Sequence, residues 1–193
     1  MDASDLWTLA FAVALVAGLA VKFWLATRQV RHVAAHRDQV PADFTGTVSL
    51  AAHQKAADYT ITKTRVGLLE TAFGAAVLLG WTLLGGLDAL NGALMDAFGP
   101  GMVQQLALLA AFAVVGGLLD LPFSLYGTFV VEQRFGFNKM AWKLWLADLA
   151  KGLLLGAAIG LPIAWLILWL MGAAGPWWWL WAWGVWMAFN LLL

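Results

Sequence analysis

Between Ala97 and Leu119, and again from Gly152 to Leu193, the sequence contains no Asp, Glu, Lys or Arg. No other feature restricts the fold as tightly. A helix crosses the roughly 30 Å hydrocarbon core of a bilayer with about 20 apolar residues. Lipid offers no partner for an unpaired backbone group, so a span must satisfy its own N–H and C=O groups. Uncharged runs of this length therefore dictate membrane helices. Composition agrees. The chain is 63% hydrophobic and 11% charged, where a soluble domain carries about 25% charge. Its mean hydropathy is +0.81. The 13 Trp against 2 Tyr suit a chain with rings at membrane–water interfaces.

These features predict an all-α, polytopic membrane helix bundle of about five spanning helices. The spans are read as 6–27, 67–90, 99–119, 152–175 and 177–193, within one domain covering 1–193. The first is retained rather than cleaved, because its leader, Met1-Asp2-Ala3-Ser4-Asp5, is acidic and a signal peptide begins basic. All eleven Lys and Arg flank two connections. Lys22, Arg28, Arg31, Arg37, Lys55, Lys63 and Arg65 surround the first-to-second, and Arg134, Lys139, Lys143 and Lys151 the third-to-fourth. The positive-inside rule then puts both connections in the cytoplasm and the N-terminus outside. An integral multi-pass protein is expected, and the Ala/Gly/Trp-rich composition points to a bacterial inner membrane.

The first connection reads as helical cytoplasmic extensions. The stretch from Arg28 to Val40 continues the first span, Pro41 interrupts it, and Asp43 or Thr45 is placed to cap a second helix that runs into span two. In the fourth span Gly152, Gly156 and Gly160 share one helix face and suit close helix packing. Pro162 is expected to kink that span. Six Trp lie between Trp177 and Trp186. The first few fit an aromatic belt at the outer interface. The later ones are expected to fill interhelical space, with a substrate-binding aromatic cluster as the alternative.

Few residues look chemical. The chain has no Cys, which excludes a disulfide framework, a thiolate nucleophile and a Cys-based metal site. Zero formal net charge removes the broadly basic surface of a nucleic-acid binder. His32 and His36 sit at i and i+4, but a zinc-protease H-E-x-x-H needs Glu after the first His and this chain has Val33. They read as solvated histidines on a basic helix. No metal site and no catalytic residue is expected within the chain. Glu70 and Asp120 lie near the cytoplasmic ends of their spans. Such carboxylates either line a wet cavity or cap and pair locally.

The remaining polarity is concentrated in Leu119–Lys151, which carries Asp120, Glu132, Arg134, Lys139, Lys143, Asp148 and Lys151. An X-Pro break is expected at Leu121-Pro122. Glu132 and Arg134 are close enough in sequence to pair. Gly136 permits a turn with positive φ, and Asn138 is placed to cap the following helix.

This stretch resembles a family. Leu121, Pro122, Phe123, Ser124, Leu125 and Tyr126, then Thr128, Phe129 and Glu132, then Gly136, Phe137 and Asn138, follow the pattern of the type I CAAX prenyl endopeptidases. Those are membrane zinc metallopeptidases of the endoplasmic reticulum and of bacterial membranes. The upstream HQKAADYTITKTR resembles the bacterial branch. The resemblance implies helices around an intramembrane chamber, closed by a cytoplasmic zinc domain bearing H-E-x-x-H and a downstream Glu. None of those ligands is in this sequence, so this chain is expected to be inactive alone. It corresponds to the N-terminal membrane part of a zinc metalloendopeptidase, with zinc a cofactor of the parent enzyme only. Its implied partners are the lipid bilayer, the C-terminal catalytic domain and a peptide or protein substrate. Asp120, Glu132, Arg134, Gly136, Phe137 and Asn138 become candidates for positioning substrate or docking that domain. The competing expectation is a self-contained five-helix binding or transport protein, with Asp120 and Glu70 lining a polar path.

Overall fold

A computed structural model of the chain describes residues 2–192. Leu193, the last residue of the expected fifth span, lies outside them. Among the described residues every regular element is helical. They are α1 (Ala3–Ala35), α2 (Leu50–Thr82), α3 (Gly86–Phe98), α4 (Met102–Tyr126, extended by a π-helical turn Gly127–Glu132), α5 (Trp142–Leu155), a second π turn (Gly156–Gly160), α6 (Leu161–Ala173) and α7 (Trp178–Leu192). Three continuous helices are long and apolar enough to cross a membrane: Ala3–Ala35, Met102–Glu132 and Trp142–Ala173. A fourth is obtained if α2 and α3 are taken as one broken span.

Helix ends follow local chemistry, not always at the expected residue. Asp2 and Asp5 cap α1 reciprocally: the Asp5 N–H donates to Asp2 Oδ1 (2.9 Å) and the Asp2 N–H to Asp5 Oδ2 (3.2 Å). Ser49, rather than Asp43 or Thr45, caps α2, its Oγ accepting from the Ala52 N–H at 3.2 Å. The reason is Pro41. It starts a 3-10 turn, Ala42–Phe44, and the Thr45 hydroxyl is used up on the Ala42 carbonyl (2.9 Å). The expected break at Pro122 does not occur, and α4 runs through it. One missing N–H is tolerated where the helix on both sides supplies the rest. Nor does Asn138 cap α5. The residue with capping geometry is Ala141 (ψ 151°), and it makes no side-chain cap.

The chain divides into two compact units, the cut falling inside α4. The first comprises the residues up to Gly86 with Asp120–Lys139. In it α1 packs along α2, and the π turn of α4 also rests on α2. Its buried side chains are Ala57, Val131 and Phe135. The second comprises Leu87–Leu119 and the chain from Met140 on. There Gln104, buried on α4, donates to Asn91 Oδ1 of α3 at 2.6 Å, and Leu170 is buried on α6. Most large apolar side chains in both units remain exposed. Hydrocarbon chains solvate them as well as a protein core does, so burial is not the force that assembles spans.

Two expectations about the second unit are corrected. A Cβ built on Gly152, Gly156 or Gly160 would meet nothing within 4 Å. Among the described residues these glycines do not seat a neighbouring helix. They edge an open apolar groove of about 340 Å³, faced by Ala110, Ala113 and Val114 of α4. The π turn Gly156–Gly160, with Pro162 just after it, is the irregularity of this span. Among the described residues the later Trp side chains do not fill interhelical space either. Trp181, Trp183 and Trp186 are all more than half exposed.

Candidate functional site

The motif-rich turn is built by one glycine. After Val131 the helix ends in paired C-terminal bonds: the Gly136 N–H donates to the Gln133 carbonyl (3.0 Å) and the Phe137 N–H to the Glu132 carbonyl (2.9 Å). This is the Schellman arrangement, which puts the residue after the helix in the left-handed region. Gly136 occupies that position with φ +71°, as expected from the sequence. The Asn138 N–H also reaches the Glu132 carbonyl, at 3.2 Å. The orphan carbonyl of the last turn is therefore satisfied twice, and Phe135 and Phe137 are thrown toward α2.

Tyr59 of α2 receives both. Its ring meets Phe135 edge-on at 5.3 Å and Phe137 edge-on at 5.0 Å. Lys55, one turn earlier, lies 5.3 Å above the Phe137 ring. Farther along α2, Phe73 touches Phe123 at 5.2 Å. The clamp thus has an aromatic foot at each end, with polar groups between.

Those polar groups line a hollow of about 210 Å³. Lys63 and Glu70 come from α2, Glu132 from the π turn, and Tyr59, Phe123 and Val131 complete the walls. Lys63 Nζ donates to Tyr59 Oη at 3.2 Å. That bond raises the Lys63 pKa above its ordinary value, and the Glu132 charge adds to the effect. Glu132 therefore acts on Lys63 across the helix pair.

Behind this hollow, Arg37 closes the α1–α2 connection. Its Nε and Nη2 donate to Asp58 Oδ1 (2.8 Å) and Oδ2 (2.9 Å), and its Nη1 to Asp38 Oδ1 (3.0 Å). Gln54 Nε2 donates to the same Asp38 oxygen at 2.7 Å. The Arg37 hydrogen bonds hold the Asp58 carboxyl below the usual carboxylate range, partial desolvation opposes them, and the Arg37 and Arg134 charges reinforce the shift. The Arg37 guanidinium is correspondingly raised, first by its bond to Asp58. Arg134 lies 5.8 Å over the Phe135 ring. Its electrostatic partner is thus Asp58 and that of Glu132 is Lys63, so the two diverge onto α2 instead of pairing with each other.

Of the six candidates from the sequence, Glu132, Arg134, Gly136, Phe137 and Asn138 gather at this turn. Asp120 does not line the hollow; it is exposed on α4. Glu70 joins Glu132 there. Tyr59, Lys63, Arg37 and Asp58 join the candidate site although none is a site candidate from the sequence. There Arg37 and Lys63 stand as orienting cations, and Asp58, Tyr59 and Lys63 as part of the HQKAADYTITKTR resemblance. A further signal for Tyr59 and Lys63 is spacing, with Lys55, Tyr59 and Lys63 at successive intervals of four on α2. His32, Val33, His36 and His53 line a separate hollow of about 260 Å³. His36 and His53 turn ring nitrogens to backbone carbonyls, of His32 (2.8 Å) and His36 (2.9 Å) respectively. Among the described residues no three His, Asp or Glu side chains are arranged to hold a metal ion.

Comparison with known proteins gives this geometry a lineage. A family model described as CAAX prenyl protease N-terminal, five membrane helices, matches residues 29–193. CAAX prenyl protease 1 homolog of Caenorhabditis elegans is 29% identical over 185 residues, 95% of this chain and 40% of that one. CAAX prenyl protease 1 of Saccharomyces cerevisiae is 45% identical over 67 residues, 35% of this chain and 15% of that one. The crystal structure of Saccharomyces mikatae Ste24p superposes with a TM-score of 0.77 at 27% identity, covering 86% of this chain and 40% of that one. The chain thus spans well under half the length of these relatives. All three are eukaryotic and lend no support to a bacterial inner membrane. A multi-pass chain with these helices, this turn and this match belongs to the CAAX prenyl protease family, as its N-terminal membrane region.

Proposed function

We propose that this chain is the membrane-embedded part of a zinc metalloendopeptidase, forming the wall of an intramembrane chamber and the seat of a catalytic domain. The observation that carries the reading is the Glu132–Asn138 turn. It is fixed by its own backbone bonds and clamped on Tyr59, yet Phe137 and Arg134 remain exposed. A rigid, half-covered turn with the family's signature residues is built to be met by something else.

Among the described residues no His, Asp and Glu side chains gather into a metal-binding set. In this reading zinc would be held by ligands elsewhere in the longer protein. This chain contributes position: Glu132, Lys63 and Glu70 supply charge beside the turn, and the turn rests on α2. In this reading both basic connections face the cytoplasm and the N-terminus lies outside, which puts the turn on the cytoplasmic side with the catalytic domain.

The reading frame beyond Leu193 tests this. Continuation into a segment with H-E-x-x-H and a downstream Glu is expected. A stop codon there sinks the reading in favour of a self-contained five-helix binding or transport protein. Continuation without the Glu or His residues also contradicts it and leaves a non-catalytic relative.

A further inference from the structure

A second hollow, of about 700 Å³, opens beside the turn and is lined by Arg37, Lys55, Asp58, Arg65 and Arg134, with Ile61 and Phe135 as its apolar floor. Four cations from three separate elements face one carboxylate. Asp58 is already held by both donor arms of the Arg37 fork. Among the described residues Lys55, Arg65 and Arg134 form no salt bridge within 4.0 Å, and Arg134 acts on Asp58 only through longer-range charge. Lys55 and Arg134 are instead fixed over the rings of Phe137 and Phe135. Like charges held this close repel one another, and here aromatic rings stiffen the side chains that bear them. That arrangement suits an anionic ligand.

Its shape decides between anions. Lys55, Asp58, Thr62 and Arg65 follow one face of α2. With the second span beginning at Gly67, Lys55 stands about 18 Å farther along the helix, at ~1.5 Å per residue. The polar headgroup layer is only about 5–7 Å deep on each side. A lipid phosphate reaches Arg65 but not Lys55 or Arg37. An extended polypeptide, at about 3.3 Å per residue, covers the whole face with a few residues and places apolar side chains on Ile61 and Phe135.

We propose that this hollow seats an acidic segment, bearing at least two carboxylates, of the catalytic domain. The proposal rests on the docking reading above and names the chemistry of the contact. It adds Arg37, Lys55 and Arg65 to the docking surface.

Zero-length carbodiimide coupling tests it in the full-length protein, in phosphatidylcholine vesicles with and without phosphatidylserine. The reagent joins an amine only to a carboxylate in direct contact, and Lys55 is the amine in the hollow. The expected product is Lys55 joined to an Asp or Glu beyond residue 193, in both vesicle types. Arg65→Glu with Arg134→Glu is expected to cut its yield about fivefold or more. Lys55 joined only to residues 2–192, only to phosphatidylserine, or to nothing overturns the proposal. Chelator-sensitive peptide cleavage by the same preparation separates the two ideas. Cleavage without the cross-link defeats only the acidic seat, and absence of cleavage defeats the protease reading itself.

Discussion

At the scale of single residues, Gly136 is the constrained position of the candidate site. Its φ of +71° lies where side chains are strained, and an added Cβ would meet only Lys55 Nζ at an ordinary 3.7 Å. The cost of substitution is therefore backbone strain and not collision. Gly136→Ala is expected to destabilise the protein by about 1–2 kcal/mol, read from thermal unfolding in detergent. Gly136→Asn should lose less, because Asn tolerates the left-handed region. Equal losses for both variants would point to a clash instead. Asp58 makes a pH prediction. Its folded pKa lies below the unfolded value of about 3.9. Its contribution is thus complete above that value and is lost as pH falls through the lower, folded one. Asp58→Asn should flatten the acid limb of a stability–pH curve below about pH 4, and less so in high salt, since the pair is partly exposed. An unchanged acid limb would show that Arg37–Asp58 does not hold the α1–α2 connection.

At the scale of elements, apolar periodicity and charge were enough to place helices but not to end them. The sequence pointed to Asp43 or Thr45 as the cap for α2, and Ser49 was missed although its side chain is equally suitable. Backbone geometry chose Ser49, because Pro41 had already committed the chain to a 3-10 turn. Ser49→Ala is accordingly expected to cost about 1 kcal/mol, while Asp43→Ala changes the same unfolding curve little. The glycine stripe running from α5 through the following π turn shows the opposite failure. Spacing alone suggested a tight interface, yet those glycines border an open groove. Gly152→Ala should then be neutral or stabilising by up to about 1 kcal/mol through helix propensity, and a large loss in the same melt would restore the interface. The candidate site was legible where it depends on one residue type, as with Gly136 and its turn. It was illegible where it depends on a pair distant in sequence, such as Tyr59 with Phe135 or Arg37 with Asp58. A lone tyrosine among Ala, Thr and Lys carries no mark of what will lie against it.

At the scale of the whole molecule, charge asymmetry organises the account. All eleven Lys and Arg flank two connections, so in the proposed orientation the turn, the basic hollow and the α1–α2 staple share the cytoplasmic side. These 193 residues contain no Cys, so a cysteine introduced among them is the sole one in this region. A cysteine at Thr47 should be shielded from a membrane-impermeant thiol reagent in intact cells, and one at Ser4 should react. The reverse pattern would invert the orientation. The central claim is that the Glu132–Asn138 turn supports peptide hydrolysis by position and not by chemistry of its own. The most direct measurement is cleavage of a synthetic peptide by the purified full-length protein, with zinc content and thermal stability measured alongside. Chelator-sensitive cleavage is predicted for the wild type. Glu132→Ala and Asn138→Ala should lower it about tenfold or more, equivalent to roughly 1.4 kcal/mol, with zinc content retained. Cleavage, zinc content and stability all unchanged in both variants would contradict the claim.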